Sequence, residues 1–442
     1  MTSRCKIAAL PVERRLQERY RILVQAHMRC ATTLAAGVAS LPGVTSSFAA
    51  TQGAWRFLNN PRVSLAALAE PPRAAGRDRA CRSRSDFVML VHDWSKLSFG
   101  QERRQQDRVR LTHETDVGYE LSTALLVSGD DGSPLAPMEM RLKTARGTLS
   151  TGMLSTGVAA RSRPHLEQVL PTMKASRSWG LSKPIVHVID READWVDHYR
   201  RWDAQGEKFL IRADDRRVRW EGESFLLSAI VSTLRRGKEP AHVGAASCRG
   251  QAAQLWVVET EVVLHRPAKK NTRGKRSQLP GRALALRLIL AELREPETGK
   301  VQAQWTLLSN VPQAWATSEH LARCYYWRWR IESFFKLLKS HGQQLERWQQ
   351  ESGAAIARRL LVAAMACVTV WQLQADDSPA ALKFKNVLVR LSGRQTKRKR
   401  APTAPALLAG LWVMLSMLSL LEQDNLRQLK RLTEKLLYLP AG

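Results

Sequence analysis

The chain has 442 residues, of which 69 are lysine or arginine and 40 are aspartate or glutamate, so its formal net charge at pH 7 is +29. This length exceeds what one small core requires and predicts about two to four units of domain size. A hydrophobic content of 44% and a charged content of 25% are those of a globular protein and exclude a disordered basic tail. The positive charge predicts a polyanionic partner, DNA or RNA before an anionic membrane or an acidic protein, but it specifies no chemistry.

The cysteines, the histidines and the N-terminal segment exclude several classes of protein. The six cysteines form no CxxC pair, which argues against a zinc ribbon and against a secreted disulfide scaffold. The ten histidines form no HExxH or HxxxH spacing. Residues 1–20 contain no apolar region long enough for a secretory signal. We therefore expect reduced thiols and a cytoplasmic location.

The first part of the chain is predicted to be helical and basic, over residues 12–80. A second small unit lies within it at Gly53–Ser64, where Asn-Asn-Pro marks a break. From about residue 86 the pattern changes to short apolar runs that are typical of strands. These runs are Phe87–Val91, Leu121–Val127, Met138–Leu142, Ile185–Ile189 and Phe209–Arg212.

The second half of the chain changes from strands to helices. Residues 214–300 contain β-rich runs on either side of a polar basic loop at Arg266–Arg282, and helical patterns follow at 317–340 and 353–375. This order predicts an α/β fold with a β-rich insertion and helical ends. The predicted units are 1–80 (helical), 81–213 (first part of the core), 214–300 (insertion), 301–376 (second part of the core) and 377–442 (helical, a candidate for dimerisation).

The last unit contains a stretch that must be weighed as a membrane span. Residues Ala406–Leu421 contain no charge, but this stretch is shorter than the about 20 residues needed to cross a bilayer, and Pro402 and Pro405 precede it. The basic residues Arg394–Arg400 before it are predicted to be an exposed linker. We expect a buried helix, in a terminal bundle or at a subunit interface, and no membrane partner.

The segment most informative about the chemistry is residues 324–342, CYYWRWRIESFFKLLKSHG. At about 100° per residue, one arc of roughly 80° on a continuous helix would hold Tyr325, Arg328, Glu332, Lys336 and Lys339. The opposite arc is apolar and is expected to be buried. A solvated amphipathic helix with i,i+4 ion pairs would give the same pattern. One acid among cations, beside Trp329, also fits a surface that binds phosphates and stacks on bases.

Two aspartates are candidates to join Glu332 in a metal site. Asp93 follows the run Phe87–Val91, and Asp190 follows Ile185–Ile189, so each is expected just past the end of a strand. Acids after strands are also common turn residues. Two such carboxylates, with a third on a helix across them, could hold two divalent ions about 4 Å apart for an in-line phosphoryl transfer. Mg²⁺ suits such a site because it prefers oxygen ligands and keeps some of its waters.

The spacing Tyr325-x2-Arg328-x3-Glu332-x6-Lys339 resembles the signature of bacterial cut-and-paste DDE transposases of insertion-sequence family four. Further segments that resemble this family, in its order, are GAWRFLNNPRVS, DREAD (Asp190–Asp194), FLIR, WTLLSNVP (Trp305–Pro312) and RWRIE. The resemblance covers roughly residues 12–375. One departure follows the first acid, where Trp94 and Ser95 stand in place of the family's Thr-Thr or Gly-Thr.

The resemblance implies an RNase H-like catalytic core with a β-rich insertion before the last acid. It implies that Asp93, Asp190 and Glu332 are catalytic and hold Mg²⁺, or Mn²⁺ as a substitute, as two ions. It implies DNA contacts from Tyr325, Arg328, Lys336, Lys339, Arg212, Trp305 and Trp329. Trp305 would stack on a base flipped from the transposon end, although a tryptophan in a strand can equally belong to the core.

The implied reaction is phosphoryl transfer at transposon ends, through a hairpin intermediate and without a covalent enzyme intermediate, followed by joining of the 3′ ends to target DNA. The resemblance further implies a homodimer that acts on double-stranded DNA at the bacterial nucleoid. Two alternatives stay open. One is a DDE nuclease that cuts without joining, and the other is a domesticated, catalytically silent relative that only binds DNA.

Overall fold

The apolar runs of the first half form strands because their β-branched and aliphatic side chains pack on both faces of a sheet. The computed structural model describes residues 10–29, 47–99, 105–113, 115–152, 165–237, 239–272, 275–279, 281–394, 401–421 and 425–437. All five predicted runs lie in strands. The strands are β1 (Val88–Ser98), β2 (Val109–Arg110), β3 (Val117–Ser128), β4 (Pro134–Thr144), β5 (Gly147–Ser150), β6 (Ile185–Ile189), β7 (Lys208–Arg212), β8 (Arg217–Trp220), β9 (Glu223–Leu226), β10 (Ala241–Cys248), β11 (Gln251–Leu264), β12 (Ala268–Thr272), β13 (Lys275–Leu279), β14 (Leu284–Arg294) and β15 (Val301–Ser309).

Helices lie in the first and last parts of the described chain, as predicted, and others lie between the strands. The side chains of Ser64, Thr317 and Ser352 cap the N-termini of three of them by accepting backbone N–H groups of the first turn. The helices are α1 (Arg14–Arg29), α2 (Ser47–Asn59), α3 (Leu65–Arg82), α4 (Val169–Ser176), α5 (Val196–Ala204), α6 (Leu227–Gly237), α7 (Ser318–Trp327), α8 (Arg330–Leu338), α9 (Gly353–Ala375), α10 (Pro379–Leu391), α11 (Ala404–Leu421) and α12 (Leu426–Leu437).

Within the described residues, thirteen strands form one mixed sheet in the order β5-β4-β3-β1-β6-β7-β15-β14-β11-β8-β9, with β2 beside β3 and β10 beside β11. β1, β3 and β4 are antiparallel, whereas β6 runs parallel to β1 and β7 runs parallel to β6. The strands of the predicted insertion continue this sheet, because β7 pairs with β15 and β15 with β14. The predicted α/β class is confirmed.

Helix α9 lies at the centre of the core, where it contacts α1, α2, α3 and β4. Among the described helices it is the one long and apolar enough to cross a membrane, but 89% of its apolar window is buried inside the protein. Its apolar composition is therefore accounted for by the core. The predicted burial of Ala406–Leu421 holds for the first half of α11, whereas Met417, Leu418 and Leu421 are exposed.

The segment Arg266–Arg282, predicted to be a loop, instead contains a β-hairpin of β12 and β13. Backbone pairing forms this hairpin, and the polar sequence gave no apolar alternation to reveal it. Arg200 fixes its base by donating to the backbone carbonyls of Arg266 and Arg282, each at 2.8 Å. Of the predicted linker Arg394–Arg400, residues 395–400 lie outside the described residues.

Leu361→Ala is expected to lower the free energy of unfolding by about 2–5 kcal/mol, because Leu361 is 2% exposed in the centre of α9 and its truncation leaves a cavity. Urea denaturation followed by circular dichroism measures this loss. The matched control is Leu382→Ala on α10, where the side chain is 45% exposed and the expected change is within about 0.5 kcal/mol. Equal losses in the two variants would contradict the central position of α9.

Candidate active site

The register of two strands brings Asp93 beside Asp190. The parallel pairing of β1 with β6 ends at His92 opposite Ile189, so the next residue on each chain is an aspartate. Asp93 and Asp190 therefore lie side by side where the pairing between β1 and β6 ends. The prediction that Asp93 lies just past a strand end is wrong. β1 continues to Ser98, because its antiparallel partner β3 remains paired with it after β6 has ended.

The segment with the Tyr-Arg-Glu-Lys spacing forms two helices, so the predicted continuous helix over 317–340 is wrong. α7 and α8 are separated by a turn at Arg328 and Trp329. In this turn the backbone N–H of Arg328 donates to the carbonyl of Tyr325 at 3.1 Å, an i to i−3 bond that is tighter than that of an α-helix. The apolar face is buried as predicted, by Ile331, Phe334, Phe335 and Leu338.

The guanidinium of Arg328 lies at the centre of the three predicted acids. Its Nη1 is 3.4 Å from Oδ2 of Asp93, and its Nη2 is 3.3 Å both from Oδ2 of Asp190 and from Oε1 of Glu332. Arg328 is 4% exposed, and its guanidinium lies 5.6 Å from the ring centroid of Tyr325. Acids from β1, from the end of β6 and from α8 therefore share one buried cation.

Two of the three carboxyls hold their protons more tightly than usual. Burial raises the pKa of Asp93 to about 6; the charges of Glu332 and Asp190 add to this effect, and Arg328 opposes it. Burial also raises the pKa of Glu332 above its ordinary value, despite the neighbouring guanidinium. For both carboxyls the desolvation cost of burial exceeds the stabilisation that Arg328 gives to the charged form.

Asp190 has the opposite shift. Burial by itself raises the pKa of Asp190, but Arg328, the backbone N–H of Arg191, the Tyr325 hydroxyl and Arg212 together hold it below its ordinary value. Tyr325 donates its hydroxyl to Oδ1 of Asp190 at 2.9 Å, and burial raises the pKa of this phenol, which keeps it a donor. Asp190 is thus the most firmly ionised carboxylate of the three.

The predicted cations divide between the interior and the rim of the site. Arg212 ends β7, and its charge lies near enough to lower the pKa of Asp190. Lys336 is exposed on α8. Lys339 follows the end of α8, where its Nζ donates to the carbonyl of Lys96 and lies 3.4 Å from Oε1 of Glu346.

The two predicted tryptophans differ in exposure. Trp305 is 7% exposed on β15, and its ring centroid is 5.4 Å from that of Tyr325. Trp329 is 48% exposed, and the guanidinium of Arg328 lies 5.4 Å from its ring centroid. Trp329 is therefore accessible to a ligand, whereas Trp305 is buried and packs against the ring of Tyr325.

The donor set fits a hard divalent cation, although the acids are held apart. Among the described residues, no three His, Cys, Asp or Glu side chains stand close enough together to form a ready metal site. The guanidinium of Arg328 occupies the space between the carboxylates, and its buried Nε has no hydrogen-bond partner. Carboxylate oxygens are the ligands that Mg²⁺ prefers, and the raised pKa of Asp93 reflects the burial of a carboxyl that Arg328 offsets only in part.

Sequence reasoning assigned no role to Asp194, the last residue of DREAD. Its buried carboxylate accepts hydrogen bonds from the Tyr199 hydroxyl and from the backbone N–H of Asp214, the latter at 2.6 Å, and it pairs with Arg216. These bonds tie the loop after β7 to the loop that begins with Asp190. The presence of three acids within the short segment DREAD was the only signal for this role.

Sequence reasoning also missed Glu346, which has no recognisable spacing to the other acids. Its Oε1 accepts the backbone N–H of Ser98 at 2.9 Å and lies 3.4 Å from Nζ of Lys339. Glu346 therefore joins the end of β1 to the end of α8. The two strands and the helix that carry the three acids are fixed to one another at their ends.

Two residues near the acids have structural partners. The Tyr119 hydroxyl donates to Oδ1 of Asp107 at 2.7 Å, and Asp107 also accepts the backbone N–H of Gly353. This pair attaches the start of α9 to the sheet. The ring nitrogens of His92 and His187 lie 3.0 Å apart and are buried, and burial lowers the pKa of both imidazoles.

The profile of a family described as "Transposase DDE domain" matches residues 147–368, about half of the chain. The matched residues include Asp190 and Glu332, and Asp93 precedes them. Among solved structures, the chain is similar to the piggyBac transposase in its synaptic complex with hairpin DNA, determined by cryo-EM. That similarity has a TM-score of 0.36 at 11% sequence identity, and it covers 96% of this chain and 75% of the other.

Asp93→Asn is expected to stabilise the metal-free protein at pH 8. The pKa of Asp93 is about 6 in the folded protein against an ordinary 3.8. Ionisation of this carboxyl therefore weakens folding as the pH rises between these values. The gain at pH 8 should be about 1–3 kcal/mol and should shrink as the pH falls toward about 4.5. Urea unfolding in EDTA measures it, and the exposed Asp86→Asn should change little at either pH. A stability gain in Asp93→Asn that did not depend on pH would contradict the raised pKa of Asp93.

Asp194→Asn is expected to lower the free energy of unfolding by about 3–5 kcal/mol, because it leaves the buried guanidinium of Arg216 without its counter-ion. Chemical denaturation at neutral pH measures the loss. The matched control is Asp214→Asn, whose side chain is 59% exposed and pairs with Arg191 at the surface. We expect the control to change stability by no more than about 0.5 kcal/mol. If the two variants were equally stable, the tie between the two loops would be unimportant.

Proposed function

The chain belongs to the transposase DDE domain family, and from this premise we propose that it cuts the inverted-repeat ends of an insertion sequence and joins them to target DNA. The observation that carries the proposal is the convergence of Asp93, Asp190 and Glu332 on one guanidinium. These acids come from distant parts of the chain, and a partly buried cluster of like charges costs stability, as is common at functional sites.

We propose that the strands around this cluster form an RNase H-like core. The antiparallel strands β1, β3 and β4, followed by the parallel strands β6 and β7, support this assignment. This arrangement brings acids from two neighbouring strands to one edge of the sheet. The match over residues 147–368 includes the second and third acids of the proposed triad.

Asp93, Asp190 and Glu332 would hold Mg²⁺, or Mn²⁺ as a substitute, and we propose two ions. When bound, the ions stabilise the attacking and leaving oxygens of an in-line phosphoryl transfer. The chain supplies ionised carboxylates, of which Asp190 is the firmest because Tyr325 and Arg328 favour its charged form. The buried face of α8 keeps Glu332 opposite the two aspartates.

The proposed reaction exchanges phosphodiester bonds at each end of the element. Water breaks one strand and releases a 3′-OH, which attacks the opposite strand to form a hairpin. Water then reopens the hairpin, and the same 3′-OH attacks the target DNA. Every step displaces one oxygen at phosphorus by another, so the residues of the site need to position the strands and neutralise charge.

The DNA contacts stay a proposal that follows from exposure and charge. Lys336, Lys339 and Arg212 would neutralise phosphates around the acids, and the exposed ring of Trp329 would stack on a base. A stacking role for Trp305 requires its ring to leave the core. We propose a homodimer in which each subunit cuts the end held by its partner, acting in the bacterial cytoplasm.

Glu332→Gln is expected to abolish excision while binding to end DNA persists, because the amide keeps the shape of the side chain and removes its charge. The assay uses a donor plasmid with the inverted repeats that flank the gene, in Mg²⁺ or Mn²⁺. Cutting should fall by about 10²–10³-fold or more, whereas a gel shift with end DNA should be unchanged. Glu351→Gln, an exposed acid before α9, should cut like the wild type.

Three other results would decide between the alternatives. A wild type that shifts end DNA and leaves the donor intact would indicate a silent DNA-binding relative. Donor cutting without joining of 3′ ends to target would indicate a nuclease. A wild type that neither cuts nor binds end DNA would contradict the proposed function.

A further inference from the structure

Arg328 contacts all three acids at long range instead of forming a short pair with one. Charge-assisted bonds between N–H and carboxylate are typically about 2.7–2.9 Å, whereas its three contacts are 3.3–3.4 Å. A structural arginine of this protein behaves differently. Arg287 binds Glu259 in a bidentate pair, with Nη2 at 2.9 Å from Oε2. Arg328 instead takes the shared central position that a metal ion would take.

Few bonds hold Arg328 in this position. Its Nε has no hydrogen-bond partner, and its guanidinium is flanked by the rings of Tyr325 and Trp329. It also belongs to the turn between α7 and α8, where its backbone N–H makes an i to i−3 bond to the carbonyl of Tyr325. The guanidinium is thus held by three long contacts and two rings, and not by a short bidentate pair.

We propose that Arg328 is a built-in counter-ion that assembles the three carboxylates in the resting protein and must give way before a divalent cation binds. This inference rests on the proposed function, since it takes Asp93, Asp190 and Glu332 as metal ligands. A guanidinium and a divalent cation cannot both lie between the same carboxylates. Metal binding to the DNA-free protein is therefore weakened by the competition.

The same competition couples metal binding to DNA binding. Once displaced, the guanidinium needs another anion, and a DNA phosphate beside the acids provides one. DNA therefore lowers the cost of moving Arg328, and the metal favours the position in which Arg328 meets DNA. Binding of either ligand strengthens binding of the other. The active metal site is thus completed on DNA and disfavoured in its absence.

The test is the affinity of the DNA-free protein for Mn²⁺, measured by isothermal titration calorimetry and by the paramagnetic resonance signal of free Mn²⁺. Arg328→Gln is expected to bind Mn²⁺ about 5–150-fold more tightly than the wild type, the range typical of coupling between two sites. Arg328→Lys keeps the positive charge and should stay close to the wild type. Adding Asp93→Asn to Arg328→Gln should remove the gain.

The matched control for charge is Arg191→Gln. Arg191 follows Asp190 directly, but its side chain is 56% exposed and pairs with Asp214 outside the cluster. Its replacement should change Mn²⁺ affinity by no more than about two-fold, because an exposed charge acts weakly through solvent. An equal gain in Arg191→Gln and Arg328→Gln, or no gain in Arg328→Gln, would overturn the inference.

A second measurement uses the wild-type chain and so does not depend on the folding of a variant. Phenylglyoxal modifies accessible arginines, and mass spectrometry locates the product. Saturating Mn²⁺ is expected to raise the modification rate of Arg328 several-fold, because the guanidinium is displaced. Arg359, fully buried with its guanidinium 4.1 Å from the ring centroid of Trp348, serves as the unresponsive reference. An unchanged or slower rate at Arg328 would contradict displacement.

Failure of this inference differs from failure of the proposed function. If the wild type excises an element but Arg328→Gln binds Mn²⁺ no better, the counter-ion role is wrong and the transposase assignment stands. If Mn²⁺ affinity rises in Arg328→Gln but no DNA is cut or bound, the role of Arg328 stands and the transposase assignment is wrong.

Discussion

Three partly buried carboxylates that lie close together repel one another, and a cation among them offsets this repulsion. In this chain the guanidinium of Arg328 supplies that charge, and the geometry of the site follows from its position. It lies within 3.4 Å of all three acids and is shielded from water. One positive charge does not neutralise three negative ones. Burial raises the pKa of Asp93, and the charges of Glu332 and Asp190 add a smaller contribution.

The scaffold around the cluster fixes each acid from outside it. Asp194 ties the loop of Asp190 to the loop after β7, and Glu346 ties β1 to the end of α8. Both are acids with a structural use, in contrast to Asp93 and Glu332, whose raised pKa values show that the fold disfavours their ionisation. For the metal and DNA site that we propose, such fixed neighbours would hold the geometry. The displacement that we propose is confined to one side chain, Arg328.

The basic residues that produce the net charge of +29 lie in several parts of the chain. Arg328 lies inside the site, Lys336 and Lys339 lie at its rim, and the segment Arg266–Arg282 contains the separate two-stranded sheet of β12 and β13. Cations around an acidic centre draw in a polyanion, but they do not perform phosphoryl transfer. The cations divide into a buried one, Arg328, which contacts the three acids, and two lysines at the rim, which we propose as phosphate contacts.

The sequence by itself determined the α/β class, the five core strands, the helical ends and the set of polar residues around Glu332. Apolar periodicity and residue spacing are local, and these features depend on local patterns. The spacing from Tyr325 to Lys339 was measured on an ideal helix, however, and no local pattern revealed the turn at Arg328 that breaks it. Nor did it reveal the hairpin within Arg266–Arg282, whose polar strands lack apolar alternation.

Tertiary structure alone decided which charges meet. Whether Asp93 lies beside Asp190 depends on the register between β1 and β6, strands separated by about ninety residues of chain. Whether Arg328 faces solvent, DNA or the acids depends on the turn between α7 and α8 and on the packing of α8 against the sheet. The sequence specifies which residues are charged. It does not specify the distances between them, because strand pairing and packing across the whole chain set those distances.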